Sequence, residues 1–303
     1  MHWIFISLSA PFLWSILNHL DKYLISKYVG NSGVGGLSIF SSGFAVFTLP
    51  ILYFFDKNIF NINILNITVL SLTGVLTALG ILFYLYALNN DEASYVVPFW
   101  FLIPIFSYVL GVFILGEHIF FGKIIGSIIT IIGAFVLSLK YGKGFHVRTG
   151  TVTLMIASSF VLALNNVLFK DLAIHTSFWQ SMFWNQFGLF IFGLSAFLFI
   201  KKYRQDFIKI VKFNTLDLTL FNIGGEIVQV VAGFFNYYAV ILAQVSLVLL
   251  IEYTFQPLFV LLGGIILTKL FPYITKEETG HKYTLQKFFA ISIMAVGVYL
   301  IVI

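Results

Sequence analysis

Cysteine is absent from this chain of 303 residues, and charged residues are scarce. Without thiols, neither a disulfide nor a thiolate metal site can form, although this says nothing about the compartment. Asp, Glu, Lys and Arg make up only 10% of the residues, whereas soluble domains carry about 25%. Because a soluble domain needs charge on its surface, this composition excludes that class and indicates an integral membrane protein.

Motifs for catalysis and cofactor binding are also missing. The sequence has no Walker A run, no His and acid cluster with metal-ligand spacing, and no nucleophile beside a His and an acid. The segment GNSGVGG, 30–36, follows no strand and predicts a flexible connection instead of a phosphate-binding loop. We therefore expect no enzyme activity, no cofactor and no metal. The net charge of +5 lies at the ends of apolar runs, so we expect no nucleic-acid partner either.

Apolar residues form 60% of the chain, and the mean hydropathy is +1.00. A helix needs roughly 20 apolar residues to cross a bilayer. Ten runs approach this length: 3–27, 36–55, 67–88, 93–115, 122–139, 151–169, 178–200, 217–240, 245–268 and 286–303. The run 124–139 is apolar on all sides, which favours helices over the alternating strands of a barrel. We predict an all-α membrane protein with ten transmembrane helices. The first three residues lack the basic segment of a signal peptide, so we expect the first run to be a span.

The stretch from Tyr86 to Phe106 combines a brief polar interruption with two prolines. Asn89 to Glu92 predict a tight aqueous turn between the third and fourth spans. Inside a membrane, proline is tolerated where neighbouring groups or water complete the hydrogen bonding. Pro98 and Pro104 therefore predict that the fourth helix bends against protein or a cavity. Simple packing around a kink is an equally good interpretation.

The two halves of the chain resemble each other at ordered offsets. An offset of 148 pairs Asn18 with Asn166, one of 152 pairs Tyr86 with Tyr238, and one of 153 pairs Pro104 with Pro257. Each half would hold five spans, and because five is odd, the second half must enter from the opposite side. We predict two inverted repeats, 1–145 and 146–303, the plan of secondary transporters that bind substrate between the halves.

A family resemblance follows from particular segments. These are YLYALNNDEAS from Tyr84, then Pro104 and Phe106, LGEHI from Leu115, and IIGSIITIIGAFVLSL from Ile124, with Trp14, Asn18 and Lys22 in the first helix. Together they resemble the EamA-type domain of the drug/metabolite transporter superfamily. The resemblance implies two such domains over almost the whole chain. The second half departs from the pattern, since LGE becomes LTK at 267–269 and an insertion follows.

The distribution of basic residues predicts the orientation. Cytoplasmic loops collect Lys and Arg, and with ten spans one face receives all of the 17 except Lys57, Lys123 and Lys170. We therefore expect the segment KKYRQDFIKIVK in the cytoplasm, both termini outside it, and the protein in the cell membrane. The basic loop is also suited to anionic lipid, although a topology signal is the simpler explanation.

Polar groups within the spans are the candidate site residues, because burying them in a membrane is costly. Glu226, Gln229 and Asn236 share one face of the eighth helix, and the glycines beside them allow close helix approach. Glu252 and Gln256 share a face of the ninth helix. Either acid is a candidate to load and release a proton. The alternatives are a neutral acid hydrogen-bonded to a neighbouring helix and an acid paired with Lys22 or Lys170.

The remaining candidates are amides, aromatics and two lysines. Asn18 and Asn166 are related by the repeat and either bind a polar substrate or join two helices. Tyr84, Trp100 and Trp184, with Tyr237, carry polar groups suited to a substrate, although a membrane-interface position is a competing explanation for the tryptophans. Lys22 and Lys170 are possible anion contacts if they point inward, but each more readily extends to the membrane surface.

These observations predict a secondary transporter of small organic solutes, such as a metabolite, an amino acid or a drug-like compound. We expect an exporter that works by alternating access, with the bilayer as its surroundings and protons as a possible coupling ion. A translocator of lipid or lipid-linked headgroups is one alternative, and a non-transporting membrane scaffold is another. The sequence specifies neither the substrate nor the oligomeric state.

Overall fold

The computed structural model describes residues 2–28, 33–90, 96–118, 121–138, 148–213, 216–270 and 281–302. Within these ranges the secondary structure is helical, without a strand. The α-helices are α1 His2–Tyr28, α2 Val34–Phe55, α3 Ile64–Asn90, α4 Leu102–Leu115, α5 Phe121–Ser138, α6 Thr149–Ala173, α7 Phe178–Phe199, α8 Lys201–Phe213, α9 Leu216–Leu242, α10 Val245–Leu270 and α11 His281–Val302.

Seven of these helices, α1, α2, α3, α6, α7, α9 and α10, are long and apolar enough to cross a membrane. Shorter apolar helices cover 99–115, 121–133 and 288–300. The prediction of an all-α membrane protein is therefore confirmed. The number of ten spans stays a prediction.

The predicted fourth span changes helix type at Leu102. A 3-10 helix, Val97–Phe101, leads directly into α4, and Pro104 is buried in the first turn of α4. A first turn tolerates proline because its N–H groups have no partner within the helix. α4 ends at Leu115, and the next residue, Gly116, has a φ of 64°, a left-handed conformation that glycine adopts without strain. The turn residues Asp91 and Glu92 lie outside the described residues.

The turns at one end of the bundle contact each other. Ser177 Oγ donates a hydrogen bond to Asp56 Oδ2 at 2.6 Å, while it also begins α7 by accepting one from Gln180 N at 3.1 Å. Gln244 Nε2 donates to the carbonyl oxygen of His118 at 2.7 Å. The first bond joins the end of α2 to the turn after α6, and the second joins the ends of α4 and α9. Lys170, in the last turn of α6, contacts both Glu117 and Ala243, so these ends lie together, and we call this the Asp56 end.

The opposite end carries the short helix α8, which packs on the start of α2. A Cβ atom on Gly35 would lie 2.1 Å from Tyr203 Cδ1, and one on Gly36 would lie 2.8 Å from the carbonyl carbon of Asp206. Glycine at both positions therefore lets the helices approach. The Tyr203 and Tyr86 hydroxyls are hydrogen-bonded, and burial, with this bond, raises the pKa of Tyr203. We call this the α8 end.

The helices α3 and α7 touch backbone to backbone. A Cβ atom on Gly74 would lie 1.9 Å from the carbonyl oxygen of Asn185, and one on Gly188 would lie 1.8 Å from that of Ser71. Small residues permit this approach between membrane helices. Between α2 and α9, by contrast, the described residues make only a marginal contact. The bundle is therefore tightly closed along one helix pair and loosely joined along the other.

Candidate functional site

A central cavity of about 300 Å³ lies between the helices. Its walls come from α1, α2, α3, α6, α7, α9 and α10, with Trp100 from the 3-10 helix and Ile210 from α8. Helices from both halves of the sequence thus surround one space. Ile210 and Asn222 place part of the lining toward the α8 end.

Most of the predicted site residues are brought together in this lining: Asn18, Tyr84, Trp100, Asn166, Glu226, Gln229, Asn236 and Gln256. Glu252, Trp184 and Lys170 do not line the cavity. The side chain of Lys22 lies outside the described residues. Whether any of these residues binds a substrate or couples to protons remains a prediction.

Two amides form a hydrogen-bonded relay from α6 to α9. Asn166 Nδ2 donates to the carbonyl oxygen of Leu162 at 2.9 Å, and Asn236 Nδ2 donates to Asn166 Oδ1 at 3.1 Å. Both amides are at least nine-tenths buried. Within the described structure, Asn236 Oδ1 has no hydrogen-bond partner. The relay therefore leaves one acceptor unsatisfied beside the cavity.

A second polar cluster centres on Tyr237 of α9. Its hydroxyl accepts hydrogen bonds from Asn165 Nδ2 at 3.0 Å and Asn185 Nδ2 at 3.2 Å, and lies 3.2 Å from Thr77 Oγ1. Asn185 Nδ2 also donates to Thr73 Oγ1 at 2.8 Å. The cluster joins α3, α6, α7 and α9, so it holds together the wall in which α3 and α7 touch.

Aromatic rings form the wall on the side of α1 and α10. Trp14 stacks on Tyr253 with centroids 6.0 Å apart, Trp100 lies 5.9 Å from Tyr253, and Tyr84 lies 4.4 Å from Trp100. All four rings line the cavity. Trp100 Nε1 is buried and lacks a hydrogen-bond acceptor among the described residues. The wall thus offers ring faces together with one N–H donor.

Glu226 is the acid that lines the cavity, and Ser41 of α2 donates a hydrogen bond to its Oε1. This bond spans the loosely joined pair α2 and α9. A carboxylate and a hydroxyl that both line the cavity are thus paired across these two helices. Sequence reasoning did not find Ser41, because a serine in an apolar run usually bonds to its own helix.

Glu252 lies on α10 one turn before Gln256 and is fully buried. Neither of its carboxyl oxygens has a hydrogen-bond partner within the described ranges. Its neighbours in sequence, Tyr253 and Gln256, line the cavity, whereas Glu252 faces elsewhere. A buried polar group without a partner costs free energy, so its presence needs an explanation.

Trp184 and Lys170 have local structural partners. Trp184 Nε1 donates to the carbonyl oxygen of Ile59 at 3.1 Å. Lys170 Nζ lies 2.6 Å from Glu117 Oε1 and donates to the carbonyl oxygen of Ala243 at 2.6 Å. The backbone N–H of Val245 donates to the Glu117 carboxylate at 3.2 Å, so this acid also caps the start of α10.

Breaking this ion pair should destabilise the protein. The side chains of Lys170 and Glu117 are 13% and 10% exposed, so each would leave the other largely buried without its charge partner. We expect Lys170→Met to lower the free energy of unfolding by about 3 kcal/mol, the lower end of the range for buried pairs. Thermal unfolding in detergent measures this, with Lys57→Met at an exposed position as control. Unchanged stability of Lys170→Met would contradict the prediction.

These features define a class: an α-helical integral membrane protein with a polar, aromatic-walled cavity at its centre. The model of the EamA-like transporter family matches residues 1–139. The resemblance predicted from the sequence is thereby confirmed over residues 1–139.

Two further proteins are similar to the chain. The S-adenosylmethionine uptake transporter of Rickettsia prowazekii (strain Madrid E) is 23% identical over 178 residues, which is 57% of this chain and 58% of the relative. A solved crystal structure superposes with a TM-score of 0.69 at 14% identity, covering 99% of this chain and 97% of the other. This second similarity concerns the fold alone. The aligned region spans little more than half the length of the Rickettsia relative.

Proposed function

We propose that the protein is a secondary transporter of small organic solutes that binds its substrate in the central cavity. The observation that carries the proposal is a cavity surrounded by helices from both halves of the chain, tightly closed between α3 and α7 and loosely joined between α2 and α9. The family match over residues 1–139 supports it, because that family consists of EamA-like transporters.

The two halves are proposed to be inverted repeats, 1–145 and 146–303. If α6, α7, α9, α10 and α11 repeat α1 to α5, then the packing of α3 on α6 corresponds to that of α9 on α1. The packing of α4 on α6 likewise corresponds to that of α10 on α1. Helices at the same place in each repeat also pair, α2 with α7 and α5 with α11. These matching contacts support a twofold relation between the halves.

The largest departure from this relation suggests the mechanism. The close packing of α3 on α7 corresponds to a merely marginal contact of α9 with α2. In an alternating-access cycle the two pairs would exchange these states, so that the cavity opens first to one side and then to the other. In the present conformation the cavity is closed where α3 and α7 touch, near Gly74 and Gly188, and it extends toward the α8 end.

The α8 end is proposed to face the cytoplasm of a cell membrane, with both termini outside. Lys201, Lys202, Lys209 and Lys212 are exposed on α8, as cytoplasmic segments require. We propose export as the direction. The Rickettsia relative is named for uptake, so uptake is the competing direction, and S-adenosylmethionine is the first compound to test.

The test is counterflow in proteoliposomes loaded with S-adenosylmethionine or with a pool of cell metabolites. We expect wild-type protein to exchange at least one solute and Glu226→Gln to slow that exchange about tenfold or more, since hydrogen bonds to charged groups are strong. An imposed pH gradient should drive net flux if protons are coupled. Right-side-out and inside-out membrane vesicles, prepared from cells with and without the protein, distinguish export from uptake.

The alternatives give different results in the same assay. A scaffold would exchange no solute in any vesicle. A lipid translocator would move a labelled headgroup lipid between leaflets but would leave soluble solutes behind. Either result would overturn the proposal, while normal exchange by Glu226→Gln would remove only the role given to that acid.

A further inference from the structure

The proposed substrate site contains two buried oxygen acceptors without a partner among the described residues, and these identify a class of ligand. This inference rests on the proposed function. We propose that the cavity selects organic ammonium cations, compounds with a protonated amine beside an apolar or aromatic body, over zwitterions, neutral alcohols and anions.

Asn236 presents an oxygen, and not a nitrogen, as its unpaired atom. The two atoms of an amide are nearly indistinguishable by shape and are assigned from their hydrogen bonds. The carbonyl oxygen of Leu162 can only accept, so Asn166 must direct its Nδ2 there and keep Oδ1 for Asn236. Asn236 must then donate, which leaves its own Oδ1 as the unpaired acceptor.

The unpaired oxygen is buried where a ligand would meet it. Asn236 is 6% exposed and lines the cavity, and its Oδ1 has no partner in the part of the chain that the structure describes. Gln256, 4% exposed, lines the same cavity, and its Oε1 likewise has no hydrogen-bond partner among the described residues. A buried acceptor without a donor is costly. A ligand that donates from N–H groups would satisfy an acceptor of this kind.

The charge of the lining favours a cation. Glu226 contributes the carboxylate, and no lysine, arginine or histidine is among the described lining residues. Among these described residues, a bound carboxylate of an amino acid or an organic acid would therefore find no opposite charge. An ammonium group, in contrast, would find a carboxylate together with neutral acceptors, and charge-assisted hydrogen bonds of this kind are the strong ones.

The aromatic wall suits the rest of such a ligand. Trp14, Tyr84, Trp100 and Tyr253 line the cavity with neighbouring centroids 4.4 to 6.0 Å apart. Ring faces attract a cation within about 6 Å and also pack on an apolar body. In this arrangement the aromatic wall would contact the apolar body of the ligand, and the unpaired oxygens would accept hydrogen bonds from its ammonium group.

Four probes of nearly equal shape isolate the charge: phenethylamine as the cation, phenylalanine as the zwitterion, phenethyl alcohol as the neutral compound and hydrocinnamate as the anion. Binding to the purified full-length protein in detergent at neutral pH is measured by calorimetry. We expect phenethylamine to bind about tenfold or more tightly than each of the other three. Equal affinities, preference for another probe, or binding of none of the four would overturn the proposal.

Two acid-to-amide variants assign the preference to the cavity. Glu226→Gln keeps an oxygen that can accept from Ser41 but removes the charge, so we expect it to reduce phenethylamine affinity and to leave phenethyl alcohol affinity unchanged. Asp56→Asn makes the same chemical change outside the cavity and should alter neither the phenethylamine affinity nor the phenethyl alcohol affinity. Thermal unfolding measured without ligand is the control that tests whether both variants fold. If Glu226→Gln keeps the full preference, the assignment to this site is wrong.

The binding assay tests this inference, and the vesicle assay tests the proposed function, so the two can fail separately. A protein that exchanges solutes in vesicles but shows no preference for the amine would refute this inference and leave the proposed function intact. A protein that binds the amine selectively but exchanges no solute, the amine included, would refute the proposed function and leave the binding site.

Discussion

Gly188→Ala should prevent α3 and α7 from packing together. The added Cβ atom would lie 1.8 Å from the carbonyl oxygen of Ser71, which belongs to the helix backbone and cannot rotate away. The two helices would have to separate along the contact that closes the cavity. Overpacking of a core usually costs about 1–3 kcal/mol, and we expect this substitution to exceed that range. The measurement is thermal unfolding in detergent, with size-exclusion chromatography to detect aggregation.

Gly43→Ala is the matched control for this substitution. Gly43 lies on α2, and a Cβ atom there would meet nothing within 4 Å. Because alanine also favours a helix more than glycine does, Gly43→Ala should be neutral or slightly stabilising. A wild-type unfolding temperature for Gly188→Ala would show that α3 and α7 can separate at little cost.

Composition and periodicity were sufficient to predict the class of fold. The shortage of charge indicated a membrane protein, and the long apolar runs indicated helices. Spacing also grouped Glu226, Gln229 and Asn236, because residues three, seven and ten apart share a helix face. All three line the cavity. Such predictions succeed because they depend on local geometry alone.

Residues whose partners are distant in sequence were not predictable. Thr77, Asn165 and Asn185 meet at Tyr237 only because four helices converge there. Thr77 occupies an unremarkable position in an apolar run, and only Trp184 to Gln186 gave a polar signal in the seventh span. Tertiary contacts of this kind leave no periodic pattern in a single sequence.

The helix α8 shows a different limit. Its segment was expected simply as a basic cytoplasmic connection, and the structure forms it into an α-helix packed on α2. Asp206 and Ile210, four residues apart, are buried on one face, while the lysines are exposed. The amphipathic pattern of this segment was not recognised, because its many basic residues dominate the mean hydropathy of so short a helix.

Replacing Glu252 by leucine should stabilise the protein and uncouple it from protons. Both carboxyl oxygens of Glu252 are buried without a hydrogen-bond partner among the described residues. An apolar side chain removes this desolvation cost, so we expect a gain of about 1 kcal/mol or more in thermal unfolding. If Glu252 is the proton-coupling acid, flux driven by a pH gradient should be lost, while counterflow, which needs no net proton movement, should continue. The flux assays in proteoliposomes and the unfolding measurement are made on the same preparations.

Thr254→Val separates the two effects of that substitution. Thr254 Oγ1 is also buried on α10 without a partner in the described ranges, and valine has nearly the same shape. It should therefore give a stability gain like that of Glu252→Leu, yet leave proton-driven flux unchanged, because threonine carries no proton between the two sides. Glu252→Gln should lose the coupling without the gain in stability, since an amide is still a buried polar group.

If Glu252→Leu retains full proton-driven flux, the acid is not the coupling group. A loss of stability on removing it would instead mean that the carboxyl group supports the fold.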